Sequence, residues 1–189
     1  MSLQPGESIL NGKYRILKLA GEGGMGRVWL AEEVAFGGRL VAIKEPLEGL
    51  SPEDLADLQA RYRREVQVCA YLALVKAPNT VRALTAEPYE GGVLLVMEYM
   101  PGGDLAGLLR QHPEGLPVER AISIALDILD ALQAAHHHPM GIVHRDVKPS
   151  NVLLDEAGRA HLADFGVAQV SKLSERTRAG LRLHPGTPL

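Results

Sequence analysis

The run His144-Arg145-Asp146-Val147-Lys148-Pro149-Ser150-Asn151 constrains this chain more than any other stretch. It fits the pattern H-R-D-x-K-P-x-N at all six fixed positions. At ordinary residue frequencies such a match arises by chance on the order of once in ten million starting positions. A charged loop following a helix does not account for the whole pattern. Thirteen residues after Asn151 comes Asp164-Phe165-Gly166. A lone D-F-G means little, but here it follows strand-like pieces at Val152–Leu154 and Ala160–Ala163.

The first half of the chain carries weaker signals that point the same way. Gly21-Glu22-Gly23-Gly24-Met25-Gly26 fits G-x-G-x-x-G, where missing Cβ atoms let the backbone approach phosphate oxygens. The plain reading is a hairpin turn. A dinucleotide-binding turn needs a helix to follow. Arg27-Val28-Trp29-Leu30-Ala31 reads instead as a strand, so a strand–loop–strand lid over phosphates fits better. In Val41-Ala42-Ile43-Lys44 the strand alternation puts Ala42 and Lys44 on one face. Alone, such a lysine reads as solvent-facing.

The following helix changes that reading. Ser51-Pro52-Glu53-Asp54 is a helix start, with a capping serine, proline at the first position and two acids at the positive end. Leu55, Leu58, Tyr62, Glu65, Cys69 and Leu72 recur at three- and four-residue steps, and the helix is expected to end near Leu74. Glu65 therefore lies in the apolar stripe. A carboxylate facing a core needs a cationic or hydrogen-bonding partner, and Lys44 is a candidate. A rotated helix, with Glu65 snorkelling beside Arg63 and Arg64, is the alternative. Cys69 in the same stripe reads as a packing residue.

The other expected elements are strands at Tyr14–Leu19, Arg27–Glu33, Leu40–Glu45, Val81–Leu84 and Val93–Met97, with a turn at Gly37-Gly38. Pro101-Gly102-Gly103 marks a boundary, beyond which the pattern turns helical. Pro117 opens a long helix whose core stripe is read as Val118, Ala121, Ile122, Ala125, Ile128, Leu129, Leu132 and Ala135. With aromatics at 4%, the core must rest on aliphatic residues. His136-His137-His138 reads as a solvated helix end, since adjacent helical residues point in different directions. From Ser171 onward the chain is basic and irregular.

In order and spacing, the glycine-rich loop, Val-Ala-Ile-Lys, His-Arg-Asp and Asp-Phe-Gly resemble the protein kinase family. Pro-Ser-Asn after Lys148 is similar to the Ser/Thr branch, and Gly-Glu-Gly-Gly-Met-Gly is similar to its bacterial members. The resemblance covers about residues 10–189. It implies an α+β two-lobe fold: a five-stranded antiparallel N-lobe sheet with one helix, plus an incomplete, mostly helical C-lobe. The implied division is an extension at 1–13, the N-lobe with its hinge at 14–100 and a partial C-lobe at 101–189. The family's Ala-Pro-Glu motif and following helices have no counterpart before Leu189. The resemblance thus breaks off inside the activation segment, and this piece alone is expected to be marginally stable and a poor catalyst.

The resemblance also implies roles. Gly21, Gly23 and Gly26 would cover the phosphates of ATP. Lys44 would hold its α- and β-phosphates and pair with Glu65. Asn151 and Asp164 would bind Mg²⁺, Asp146 would accept the proton of the substrate hydroxyl, and Lys148 would neutralise charge near the γ-phosphate. Val28 and Ala42 would lie above the adenine, Leu153 below it and Met97 behind it, with backbone groups of Glu98 and Met100 on its edge. Ala20 stands where the family often has a larger aliphatic residue. Arg145 would meet a phosphorylated activation segment. Ser171, Ser174 and Thr177, beside Arg176, Arg178 and Arg182, are candidate autophosphorylation sites, Thr177 foremost, and Thr187 resembles a structural threonine.

The implied partner is a protein bearing Ser or Thr acceptors, with self-association for autophosphorylation. The net charge of −3 gives no electrostatic case for nucleic acid. One cysteine excludes an internal disulfide, and no apolar run approaches a membrane span. A cytoplasmic segment, within a parent chain that could be membrane-anchored, is the expectation. The rival to a Ser/Thr kinase is a non-catalytic, nucleotide-binding pseudokinase module. Small-molecule kinases of the same fold usually lack the Lys-Pro-x-Asn continuation.

Overall fold

The computed structural model describes residues 3–23, 26–46, 52–90, 92–137, 141–165 and 169–170. Gly24, Met25, Ser51, His138, Gly166 and every position expected to act in 171–189 (Ser171, Ser174, Arg176, Thr177, Arg178, Arg182 and Thr187) lie outside the described residues.

The first half forms one antiparallel sheet from β1 (Ser8–Ile9), β2 (Tyr14–Gly23), β3 (Gly26–Glu33), β4 (Arg39–Glu45), β5 (Ala83–Tyr89) and β6 (Gly92–Glu98). Their order is β1-β2-β3-β4-β6-β5. The sheet therefore has six strands, not the expected five. The added strand, β1, is too short to show a period of two. It pairs Ser8 with Arg15 and Ile9 with Tyr14 after the chain reverses through Leu10 and Asn11, which stand at φ 52° and 57°.

The sheet buries both faces. On the outer one, Leu3 and Ile9 join Tyr14, Ile16, Trp29, Ala31, Val41, Ile43, Leu94 and Val96 in one cluster. The N-terminal residues are thus core. They are also pinned by a buried carboxylate: Glu45 accepts the Leu3 N–H at 3.0 Å and the Trp29 indole N–H at 2.9 Å. Two donors offset the desolvation of that charge. On the inner face lies helix α1 (Pro52–Leu74), which presents Tyr62 and Cys69 to Leu95. Burial of Tyr62, Glu65, Val68, Cys69 and Leu72 fixes its rotation, with Glu65 inward.

Residue 26 shows why a glycine stands there. A Cβ on Gly26 would lie 2.2 Å from the Glu45 carbonyl oxygen, inside the β3–β4 contact. At Gly21 and Gly23 a Cβ would meet nothing within 4 Å. The first is demanded by the neighbouring strand, the other two by nothing in the chain's own described packing.

The expected strand at Val81–Leu84 is displaced to β5. Thr80 forms a parallel bridge with Leu162 and the Val81 N–H donates to the Leu162 carbonyl at 3.0 Å, so these residues are spent joining the second half of the molecule. Beyond the hinge, Gly102 N–H donates to the Leu154 carbonyl at 2.9 Å and Leu154 N–H to the Gly103 carbonyl at 2.8 Å. A Cβ on Gly102 would sit 2.8 Å from that Leu154 oxygen, which accounts for the glycine.

The second half holds α2 (Leu105–Gln111), α3 (Val118–His137), β7 (Ile142–Val143), β8 (Val152–Leu154), β9 (Ala160–Leu162) and β10 (Gln169–Val170). Asp104 caps α2 by accepting the Gly107 N–H at 2.6 Å. β8 pairs with β9 and β7 with β10. The core face of α3 is Ile124, Ala131 and Ala135, helped by the partly buried Ile128 and Leu132. Of the expected stripe, Val118, Ala121, Ile122, Ala125 and Leu129 are instead exposed, as is Leu126. The helix carries two apolar stripes, and among the described residues only the one facing β7 and β9 is covered. Among the described residues, no helix is long and apolar enough to cross a membrane.

Candidate active site

β4 sets the first group. Lys44 faces Val28 of β3 and Leu95 of β6, while Ala42 faces Leu30 and Met97. Directly opposed residues share a face, so Val28, Ala42, Lys44 and Met97 lie together on the inner side of the sheet. Gly21 pairs with Val28 in the β2–β3 hairpin, and Gly23 with Gly26. Ala20, Gly21 and Gly23 are exposed and Gly26 is buried.

The Lys44 ammonium lies 2.5 Å from Glu65 Oε1 and 3.1 Å from Asp164 Oδ1. Burial works to lower the pKa of Lys44, but the charges of Glu65 and Asp164 outweigh it and hold the group above the ordinary lysine value. Burial pushes the Glu65 carboxyl up, against the opposing pull of Lys44. Glu65 Oε2 is buried without a hydrogen-bond partner among the described residues. Behind this pair the buried Cys69 thiol is pushed up to about 12 by desolvation, which leaves it neutral and inert.

The second group is built on the loop between β7 and β8. Asn151 Nδ2 donates to the Asp146 main-chain carbonyl at 2.8 Å and to its carboxylate at 3.0 Å. Lys148 Nζ lies 2.7 Å from the same carboxylate. The hydrogen bond from Lys148 is the chief cause holding Asp146 below the usual carboxylate range. Asp146 is therefore an anion at neutral pH. Because Asn151 turns its nitrogen to Asp146, its amide oxygen is the atom that could ligate a metal.

Ala163 joins the two groups. Its N–H donates to the Asn151 carbonyl at 2.8 Å, and its carbonyl receives His144 Nε2 at 2.9 Å. The other ring nitrogen, Nδ1, accepts the Asp146 N–H at 3.2 Å. That bond pattern requires a neutral imidazole protonated on Nε2, and burial accordingly lowers the His144 pKa. Phe165 packs on the His144 ring with centroids 4.6 Å apart. Arg145 and Asp164, beside these anchors, stand at φ 67° and 61°. Such backbone outliers among non-glycine residues cluster at functional sites.

The set thus runs without a break from Glu65 through Lys44 and Asp164, across Ala163, to Asn151, Asp146 and Lys148. Of the hinge residues, Met100 is buried, and Glu98 sends its side chain to the Arg82 N–H at 2.8 Å. Glu98 also spends its own N–H on the Arg82 carbonyl at 3.0 Å, so any contact with a base edge falls to its carbonyl. Leu153 is half-buried and bridges to Asp104. Among the described residues, no group of three or more His, Cys, Asp or Glu could hold a metal. Asn151 and Asp164 make a two-residue oxygen set instead. That chemistry suits Mg²⁺, which keeps waters and substrate phosphates in its shell.

Sequence reasoning overlooked Ala163 and the hydroxyl of Tyr62. Ala163 acts through its main chain, which leaves no mark in a side-chain pattern. Tyr62 did leave one: a phenol inside an apolar stripe must find a polar partner.

Comparison with known proteins follows the same residues. Residues 14–183 match the family model described as the protein kinase domain. The chain is 38% identical over 161 residues to a probable serine/threonine-protein kinase, PknB, of Lactococcus lactis, covering 85% of this chain and 24% of that protein. It is 36% identical over 191 residues to the DNA damage-responsive serine/threonine-protein kinase RqkA of Deinococcus radiodurans, covering 100% of this chain and 27% of the other. With the serine/threonine-protein kinase PknE of Mycobacterium bovis it shares 36% identity over 169 residues, or 89% and 28% of the two chains. This chain therefore spans only about a quarter of the length of these relatives.

Proposed function

The chain belongs to the protein kinase family, in its bacterial-like Ser/Thr branch, and from that premise we propose that it transfers the γ-phosphoryl group of ATP to Ser or Thr hydroxyls of proteins with Mg²⁺ as cofactor. The observation that carries this reading is the continuous set linking Lys44, Asp164, Asn151 and Asp146. Phosphoryl transfer needs cations around a polyanion and a proton acceptor at the attacking oxygen, all in one place.

In this reading Asp146, kept anionic by Lys148, orients the substrate hydroxyl and takes its proton. The hydroxyl oxygen bonds to the γ-phosphorus as the bond from that phosphorus to the β–γ bridging oxygen breaks, and ADP leaves. Lys44, held charged by Glu65 and Asp164, grips the α- and β-phosphates. Gly21 and Gly23, where a Cβ would meet nothing within 4 Å, let the main chain of the hairpin approach the phosphates. Asn151 and Asp164 would hold the Mg²⁺ ion, which would supply positive charge against the phosphate oxygens. Lys148 serves both Asp146 and the transferred group.

The test is transfer of labelled γ-phosphate to a generic protein substrate by the full-length protein, with and without Asp146→Asn. Transfer lost by about a thousandfold in the variant, with ATP binding retained, is the expected result. ATP bound without transfer by the unsubstituted protein turns the reading toward a non-catalytic nucleotide-binding module.

A further inference from the structure

Tyr62 lies one turn before Glu65 on the same face of α1, and it is 3% exposed. Its hydroxyl donates to the Lys44 carbonyl at 2.7 Å and accepts the Leu95 N–H at 3.0 Å. Lys44 and Leu95 face one another in the β4–β6 register. One side-chain oxygen from a helix therefore serves two main-chain groups on adjacent strands. Apolar contacts between a helix and a sheet leave small sliding displacements cheap, whereas a hydroxyl with donor and acceptor both engaged fixes distance and direction.

Helix α1 thus grips the same lysine twice. Glu65 takes its ammonium at 2.5 Å, and Tyr62 takes its carbonyl. We infer that Tyr62 is a positioning residue for phosphoryl transfer: its hydroxyl sets the main chain of Lys44 against α1, so that the ammonium meets Glu65 and the nucleotide phosphates together. This rests on the kinase reading above. Tyr62→Phe keeps the ring and its packing against Cys69 and Leu95. It removes the bridge, and with it the constraint that holds the Lys44 carbonyl and the Leu95 N–H at fixed distance from α1.

The experiment compares binding of ATP and of adenosine, in the presence of Mg²⁺, to the full-length protein and its Tyr62→Phe variant. Adenosine lacks the phosphates that Lys44 holds. The expected result is ATP affinity weaker by about tenfold, with adenosine affinity changed less than about twofold. In a Lys44→Met background, Tyr62→Phe is expected to add no further loss. Equal weakening of both ligands, or an additive loss in that background, marks Tyr62 as ordinary core and overturns the inference. ATP binding indifferent to Tyr62→Phe overturns it as well. ATP binding absent from the unsubstituted protein overturns the kinase reading and this inference with it. Should the variant not fold, amide exchange in the unsubstituted protein decides. ATP but not adenosine is expected to slow exchange at Leu95, and an equal response to both overturns the inference.

Discussion

Lys44 and Glu65, 21 residues apart in sequence, meet at 2.5 Å with both side chains almost wholly shielded from solvent. A buried pair of this kind is costly to break and cheap to replace whole. Lys44→Met leaves Glu65 buried beside Asp164 with no cation, and is expected to destabilise the fold by about 3 kcal/mol or more. The double substitution Lys44→Met with Glu65→Leu is expected to recover most of that loss while remaining inactive. Urea denaturation of both variants, read beside phosphotransfer, checks whether stability and activity part company in this way.

Glycine substitutions should separate along the same line. Gly26→Ala drives a Cβ to 2.2 Å from the Glu45 carbonyl, and overpacking of that kind costs about 1–3 kcal/mol. Gly21→Ala and Gly23→Ala meet no neighbour within 4 Å, so stability should change by no more than about 0.5 kcal/mol. Their cost should appear instead as weaker ATP binding. Thermal melts with and without nucleotide separate the two outcomes, and equal destabilisation by all three would contradict this account.

Glu45 points from β4 to the face opposite Lys44, and holds the N-terminal segment through Leu3 and the sole tryptophan, Trp29. Glu45→Gln offers one acceptor oxygen for two buried N–H groups, a loss of about 1–3 kcal/mol. Trp29 fluorescence should shift to the red as that edge of the core loosens. An unchanged emission maximum would mean that the carboxylate does not bind the indole.

His144 gives the pH dependence. Burial lowers its pKa from the ordinary 6.5. Below about pH 6.5 the unfolded chain takes up a proton that the folded chain refuses, so stability falls as pH falls. The contribution is whole above that value and is lost as pH drops through the depressed folded value. The melting temperature of the unsubstituted protein should therefore drop from pH 7.5 toward pH 5.5 by more than that of His144→Phe, which has no imidazole to titrate. The difference between the two slopes isolates this group from Glu65, whose raised pKa acts in the opposite sense. Parallel slopes would show that His144 is not the titrating anchor.

Much of the site was legible because its parts are local. Asp146, Lys148 and Asn151 lie within one short loop, and a pattern read along the chain captures their contacts. The stripe through Tyr62, Glu65, Cys69 and Leu72 likewise placed Glu65 on the apolar face by helical period, and its burial decides against the rotated helix. Such a pattern says that a face is covered without saying by what. The exposed Val118, Ile122, Leu126 and Leu129 on α3 show the limit, for two apolar stripes on one helix look alike until a sheet covers one of them. Strand β1 escaped notice because two residues have no period.

The residues along the chain determined which chemical groups are present and which local faces are apolar, because propensity, alternation and helical period act over a few residues. Only the tertiary structure decided that Lys44 meets Asp164 across 120 residues, that Ala163 ties two clusters together by its main chain, and that the Tyr62 hydroxyl closes on the Lys44 carbonyl. Those contacts join distant segments through single polar atoms, and hydrogen-bond distance and angle come into being only when packing has brought the segments together.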